Sequence, residues 1–223
     1  MIGFVVAMEK EGKLFLNSTQ INNSYEYAGK KIFLGTLADG REFALILSGI
    51  GKVNAGISTQ ILIDKYQPEF IINFGVAGGK ENSGLSAGDN VIISEVCQYD
   101  FDLSEIDNVN IGYMQDYDLT YYPTAYKRYV GNSLKVRKGA SADRFTNKYE
   151  HLQTIKSLGA EVVDMECGAI AQTAYTNKTP LFILKLISDV DGSNDSIFAQ
   201  YTNNVSTICN KIPMMIEELL NNI

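Results

Sequence analysis

Histidine and tryptophan are almost absent from this chain of 223 residues, which has His151 as its one histidine and no tryptophan. A single histidine excludes the HExxH motif of metalloproteases and zinc sites built on two or three histidines. A Ser-His-Asp or Cys-His arrangement would have to use His151, which lies in a polar, helix-like stretch where a surface position is the better interpretation. Any acid–base chemistry is therefore expected to depend on carboxylates.

Cysteine and basic charge are also in short supply. Cys97, Cys167 and Cys209 are odd in number, far apart and form no CxxC pair, which indicates a reducing compartment without a disulfide framework or a clustered metal site. The chain has 19 Lys+Arg against 26 Asp+Glu, a net charge of −7. This acidic balance argues against a large footprint on nucleic-acid phosphates, so DNA and RNA are not expected as partners.

Long hydrophobic runs are missing as well. No stretch reaches the ~20 apolar residues of a membrane span, and near the N-terminus the charges follow the apolar run, the reverse of a secretory signal. We expect a soluble, cytoplasmic protein with no membrane partner.

Short apolar runs, by contrast, recur along the chain, and most are rich in Val, Ile and Phe and nearly continuous. They cover residues 2–8, 32–37, 43–47, 70–74, 91–96 and 181–187. Continuous rather than alternating apolar character is typical of strands covered on both faces, as in an α/β sheet.

Helix-like stretches lie between these runs, at 53–66, 147–158, 167–177 and 202–220. Pro213 interrupts the last of them and predicts a kink or a helix restart. The alternation predicts one three-layer α/β domain spanning residues 1–223, since no repeat or linker divides the chain. Residues 100–129 differ, being polar and rich in tyrosine. They indicate a long loop or flap that takes part in an interface, with irregular surface structure as the alternative.

Glycine clusters and carboxylates follow several of the predicted strands. The sequences SGIGK (48–52) and GVAGG (75–79) match neither a P-loop nor GxGxxG, and are either places where backbone approaches a ligand or tight turns. Glu9 and Glu11 either reach a cleft or cap the first helix. Glu166, beside small residues, either binds paired hydroxyls of a ligand or caps a helix, and Asp189, at the end of a buried strand, is either a general acid or an N-cap.

Six segments taken together resemble one family. They are IGFVVAMEKE at the start, SGIGKVNAG at 48–56, NFGVAGG at 73–79, SADRF at 141–145, VVDMECGAIA at 162–171 and LISDV at 186–190. Each is weak alone, but in this order and spacing they resemble the 5′-methylthioadenosine/S-adenosylhomocysteine nucleosidases of the nucleoside phosphorylase superfamily. The resemblance implies a three-layer α/β/α fold around a mixed sheet, and a homodimer in which a loop of the partner chain closes each site. It also implies hydrolysis of the N-glycosidic bond of adenine nucleosides, with no metal or organic cofactor.

The resemblance further assigns roles to three carboxylates. Asp189 corresponds to the acid that protonates the imidazole ring of the leaving adenine, Glu11 to the residue that helps to activate water, and Glu166 to the binder of the ribose hydroxyls. The remaining site residues that it implies bind or enclose the substrate. Met165 flanks Glu166, Phe145 stacks on the base, Ser188 orients Asp189, Phe198 forms the wall for the 5′-substituent, and Met8, Ile50, Val76 and Gly78 line the site.

Water is the expected nucleophile. Phosphorylases of the superfamily carry arginines in the first turn and two residues before the second glycine motif, where this chain has Ala7-Met8-Glu9-Lys10-Glu11 and Asn73. A carboxylate there would repel phosphate. A purine nucleoside phosphorylase, a nucleosidase for a futalosine-type or another nucleoside, and a nucleoside-binding module without catalysis are the alternatives. Departures from the family pattern, among them Val76 and Arg144, leave the preference for the 5′-substituent open.

Overall fold

The computed structural model describes residues 1–81, 83–145, 148–192 and 196–223. Its strands are β1 (Ile2–Val6), β2 (Gln20–Tyr27), β3 (Lys30–Thr36), β4 (Glu42–Leu47), β5 (Phe70–Gly79), β6 (Asn90–Gln98), β7 (Tyr122–Pro123), β8 (Lys135–Ser141), β9 (Val162–Asp164) and β10 (Leu181–Val190). Its α-helices are α1 (Glu9–Asn17), α2 (Lys52–Tyr66), α3 (Ser104–Asp107), α4 (Tyr149–Leu158), α5 (Cys167–Thr176), α6 (Ile197–Ile208) and α7 (Ile212–Leu220).

The strands form one mixed sheet in the order β10-β6-β8-β9-β5-β1-β4-β3-β2, with β7 on β6. Strand β10 also pairs with β5, so β5, β10, β6, β8 and β9 close into a ring. Strands β4, β1, β5 and β10 run parallel to one another, which brings their carboxyl ends to the same edge of the sheet. The predicted fold, with helices on both sides of a central mixed sheet, is confirmed.

Two hydrophobic cores explain why the central strands are apolar without alternation. In β1, Phe4 and Val6 pack on one face of the sheet together with Phe15 of α1, whereas Val5 packs on the other face with Leu62 of α2. Helices α6 and α7 cover the first face, and α5 covers the second. Each large side chain fully buried in these cores contributes about 1.5–3 kcal/mol, so both faces of the strand stabilise the fold.

The six apolar runs all form strands, but the sequence pattern did not predict β2 or β8. Strand β2 is exposed along almost its whole length and, within the part of the chain that the structure describes, pairs only with β3, so its sequence shows no apolar face. The helix predicted at 202–220 begins earlier, at Ile197, and breaks at a 3₁₀ turn over Cys209–Lys211. Pro213 then lies in the first turn of α7, which confirms the predicted restart.

The tyrosine-rich segment is more ordered than a loop. It contains α3, β7 and two 3₁₀ turns, and Tyr122 is completely buried. The rings of Tyr117 and Tyr175 meet Tyr122 edge-on, with centroids 5.9 and 5.7 Å away. The segment is, as predicted, a long connection with only short elements, but these ring contacts attach its second half to α5. No helix in the described ranges is long and apolar enough to cross a membrane.

Candidate active site

A cavity of about 400 Å³ opens at the carboxyl ends of β1, β5 and β10. All eleven site residues named from the sequence line it: Met8, Glu11, Ile50, Val76, Gly78, Phe145, Met165, Glu166, Ser188, Asp189 and Phe198. The cavity is also lined by six residues that were not named: Ala77, Arg144, Val163, Asp164, Ile197 and Tyr201. Residues from seven separate segments of the chain therefore meet at one edge of the sheet, where open α/β sheets bind ligands.

Glu11 lies in the first turn of α1 and is almost completely buried. Its Oε2 accepts a hydrogen bond from the Met8 amide at 3.0 Å, and its Oε1 accepts one from the Val76 amide at 2.9 Å. The two interpretations of this residue are therefore both correct, because one oxygen caps the helix and the carboxylate still lines the cavity. Burial raises the pKa of Glu11 although both amides and the charge of Lys185 oppose the shift.

The second glycine cluster has a specific reason to be glycine. A Cβ atom on Gly75 would lie 2.8 Å from Oε1 of Glu11, and one on Gly78 would lie 2.9 Å from Oδ2 of Asp189. Strand β5 thus has no side chain at the two places where the carboxylates approach its backbone. The cluster is part of a strand and not the tight turn that was the alternative.

Asp189 lies near the end of β10, and its orientation depends on a bulge. Ile187 pairs with Ala77 and Asp189 pairs with Gly78, so Ser188 has no partner on β5. Ser188 and Asp189 consequently both line the cavity, and the Ser188 hydroxyl donates to Oδ1 of Asp189 at 2.6 Å. Among the described residues none donates to Oδ2. The alternative role as an N-cap is wrong, because Ser196 caps α6.

Burial raises the pKa of Asp189, while the hydrogen bond from Ser188 and the charge of Lys80 oppose the shift. A carboxyl group with a raised pKa retains its proton closer to neutral pH and can deliver it to a ligand.

Glu166 immediately precedes α5, but its side chain does not cap that helix. Its Oε1 accepts a hydrogen bond from the Gly51 amide at 2.9 Å, at the start of α2, so the capping alternative is wrong. Burial, together with the nearby negative charge of Asp164, raises the pKa of Glu166 to about 7. Its ionised form therefore needs additional hydrogen-bond donors, which the paired hydroxyls of a sugar can supply.

A buried ion pair behind Glu166 was missed at the level of sequence. Lys185 Nζ lies 2.9 Å from Oδ2 of Asp164, and both side chains are only 3 % exposed. Asp164 also accepts hydrogen bonds from the Ser141 hydroxyl and from the amide and thiol of Cys167. Burial disfavours both charges, but the partners outweigh it, so the pKa of Asp164 is lowered and that of Lys185 is raised. A lysine in the middle of the apolar run LFILKLI was the signal that could have identified the pair.

The outer walls of the cavity are aromatic and more accessible to solvent. Phe198 of α6 is 68 % exposed, and Phe145 contacts the ring of Tyr201 edge-on at 6.1 Å. Arg144 Nη1 lies 2.8 Å from Nε2 of His151. The histidine itself is 17 % exposed and does not line the cavity, so the predicted surface position was only partly correct.

The arrangement combines three acids with distinct surroundings. Asp189 has one oxygen to which no described residue donates, Glu11 is fixed by two backbone amides, and Glu166 accepts one hydrogen bond from a backbone amide. Such a cavity can protonate a leaving group, polarise a nucleophile and hold a hydroxylated ring between the two groups.

Comparison with known proteins identifies the family. Residues 1–221 match the model of the phosphorylase superfamily. The 5′-methylthioadenosine/S-adenosylhomocysteine nucleosidase of Staphylococcus carnosus is 34 % identical over 211 residues, covering 90 % of this chain and 92 % of that protein.

Solved structures agree with this result. The nucleosidase of Neisseria meningitidis in complex with methylthio-immucillin-A is 26 % identical, with a TM-score of 0.85 over 98 % of this chain and 97 % of that one. The nucleosidase of Colwellia psychrerythraea in complex with adenine is 28 % identical, with a TM-score of 0.82 over 98 % and 95 % of the two chains. The chain belongs to the 5′-methylthioadenosine/S-adenosylhomocysteine nucleosidase family of the phosphorylase superfamily.

Proposed function

We propose that this protein hydrolyses the N-glycosidic bond of 5′-methylthioadenosine and S-adenosylhomocysteine, releasing adenine and a 5-thioribose product. The observation that carries the proposal is the placement of Asp189 and Glu11 in one cavity, each against a glycine of β5. Family membership supplies the substrate class, and the carboxylates supply the chemistry.

Asp189 is the general acid in this proposal. As the bond between C1′ of the ribose and N9 of adenine breaks, its electron pair moves into the purine, and Asp189 donates its proton to the imidazole ring. Ser188 holds Oδ1 at 2.6 Å, which leaves Oδ2 to carry that proton. Protonation of the leaving base contributes about 10²–10⁴-fold to the rate in comparable proton transfers.

Glu11 is the general base on the other side of the ribose. Water adds to C1′ of the oxocarbenium-like ribosyl cation, and Glu11 accepts the proton that the water loses. The amides of Met8 and Val76, at 3.0 and 2.9 Å, fix the carboxylate and prevent it from turning away from the water. The ionised carboxylate of Glu166 accepts hydrogen bonds from the ribose hydroxyls and stabilises the developing positive charge.

Water is favoured over phosphate because the proposed base, Glu11, is a carboxylate, and because Lys185, the buried lysine near it, is already paired. Lys185 is paired with Asp164, and Arg144 contacts His151. Near Glu11 the lining residue is Val76, which has no charge to offer an anion. A phosphate ion in place of the water would lie against the Glu11 carboxylate, and the repulsion between two negative charges is unfavourable in a buried site.

The test is release of adenine from 5′-methylthioadenosine in buffers with and without phosphate. We expect equal rates in the two buffers and a loss of about 10²-fold or more in D189N, whereas D39N, a surface substitution, should retain full activity. A requirement for phosphate, with 5-methylthioribose 1-phosphate as product, would show a phosphorylase instead. Binding of the nucleoside without any product would favour a binding module.

We also propose that the protein acts as a homodimer. Val53 and Ile57, on one face of α2, are 71 % and 48 % exposed, and Ile106 of α3 is 78 % exposed. This apolar face starts at Ile50 on the rim of the cavity, so a second copy of the chain bound there would also cover the site. Sedimentation of the wild type and of V53D/I57D tests this, because the double variant should be a monomer; a monomeric wild type would refute it.

A cytoplasmic location and a role in methionine salvage complete the proposal. The family's substrates support the role, and three free, buried cysteines suit a reducing compartment.

A further inference from the structure

A second buried ion pair lies beside the proposed general acid, at the point where β5 and β10 end. Lys80 directly follows β5, and Asp191 directly follows β10. Lys80 Nζ lies 2.6 Å from Oδ2 of Asp191, and each side chain is only 10 % exposed. Neither residue lines the cavity, and neither belongs to the motifs by which the family was identified.

The pair is held by the backbone around it. The Asp191 amide donates to the Gly79 carbonyl at 3.2 Å, and the Lys80 amide donates to the Glu161 carbonyl at 2.9 Å. The amide of Glu81 donates to Oδ1 of Asp191. The ion pair is thus fixed directly beyond the paired residues Gly78 and Asp189, two positions further along each strand.

Both charges act on Asp189. Burial is the largest cause of its raised pKa; Lys80 lowers this pKa and Asp191 raises it. The other titratable groups of the described residues that line the cavity with Asp189 are Glu11, Asp164, Glu166, Arg144 and Tyr201. The carboxyl's immediate electrostatic surroundings are therefore set by two opposite charges that hold each other in place.

We propose that Lys80 and Asp191 are a positioning pair that sets how readily Asp189 gives up its proton. The inference rests on the proposed role of Asp189 as the general acid. The pair acts through Asp189 and does not touch the substrate.

The two halves of the pair have opposite predicted effects. In K80M the charge of Asp191 is left uncompensated, Asp189 holds its proton more tightly, and the basic limb of kcat/KM for 5′-methylthioadenosine moves to higher pH by about one unit. In D191N the charge of Lys80 is uncompensated and the limb moves about one unit lower. At a pH above the wild-type limb, K80M should exceed D191N in kcat/KM by about tenfold or more.

A purely structural role would give a different result. Loosening of this segment would expose Asp189 to water and lower its pKa in both variants, so only the proposed electrostatic role moves the limb upward in K80M. In the charge-preserving K80R and the charge-neutral K80M/D191L, the basic limb of the pH profile should stay at the wild-type pH. K135M removes an exposed pair with Asp89 and should do the same. K80Q carries the prediction if K80M does not fold.

The experiment consists of pH profiles of all these variants, with D189N measured beside them. An active D189N would overturn the role of Asp189 itself. If D189N is inactive but the basic limb moves to lower pH in K80M and K80Q, or moves no further than in K135M, the inference about the pair is wrong and the proposed function stands.

Discussion

The buried pair of Lys185 and Asp164 predicts an asymmetric response to mutation. No other described residue accepts a hydrogen bond from Lys185, whereas Asp164 has further donors in Ser141 and in the amide and thiol of Cys167. Removing the aspartate therefore leaves a buried ammonium group without a hydrogen-bond acceptor among the described residues, and only the charges of Glu166 and Glu11 remain near it. Removing the lysine leaves a carboxylate that still accepts hydrogen bonds from three donors.

The magnitudes follow from these contacts. D164A should reduce the free energy of unfolding by about 5 kcal/mol, the upper end for breaking a buried ion pair, because the Cys167 amide also loses its acceptor. K185M should cost about 2–3 kcal/mol, since the methionine fills most of the lysine's volume and the remaining donors stabilise Asp164. In a domain of this size, these losses lower the melting temperature by about 10–20 °C and about 5–10 °C.

Urea unfolding followed by circular dichroism, with calorimetry as a second measurement, tests this order. The K185M/D164L double variant should be more stable than D164A, because it buries neither charge. A K185M protein as unstable as D164A, or less stable, would refute the reasoning, since the donors around Asp164 would then contribute nothing.

Two further predictions concern the glycine of β5 and the titration of Glu166. In G78A the added Cβ would lie 2.9 Å from Oδ2 of Asp189. Because the Asp189 side chain can turn away, activity should fall by about tenfold or more while the melting temperature changes little. An inactive, unfolded protein would contradict this. With a pKa raised to about 7, Glu166 binds more protons in the folded state than in the unfolded state between its ordinary pKa and about 7, so it costs stability as pH rises through that window. E166Q should accordingly melt above the wild type at about pH 8 and close to it at about pH 5; equal differences at both pH values would refute this.

Apolar runs and short motifs were sufficient to predict the sheet's central strands and the lining of the cavity. The carboxylates follow strands that are apolar for a physical reason, namely burial on both faces, so their position at one edge of the sheet could be anticipated. Strand β2 could not, because an exposed strand paired on one side needs no hydrophobic pattern.

The alternation of residues along a strand could not predict the orientation of Asp189 either. Alternation places residues 187 and 189 on the same face of a strand, but the bulge at Ser188 directs Asp189 away from the face of Ile187. The electrostatic partners Lys80, Lys185 and Asp191 lie far apart in sequence or at the ends of strands. Their pairing depends on which strands are neighbours in the sheet, and the composition of the chain does not predict that order.

The division of the cavity between rigid and accessible elements has an evolutionary consequence. The proposed acid and base are attached to β10 and α1 and lie against β5, where even one added methyl group would collide with a carboxylate. The outer wall comes from Ile197, Phe198 and Tyr201, on a surface helix outside the sheet. In the proposed function this helix faces the 5′-group, so substitutions on it would diversify the 5′-group that is accepted while the bond-breaking step is inherited unchanged.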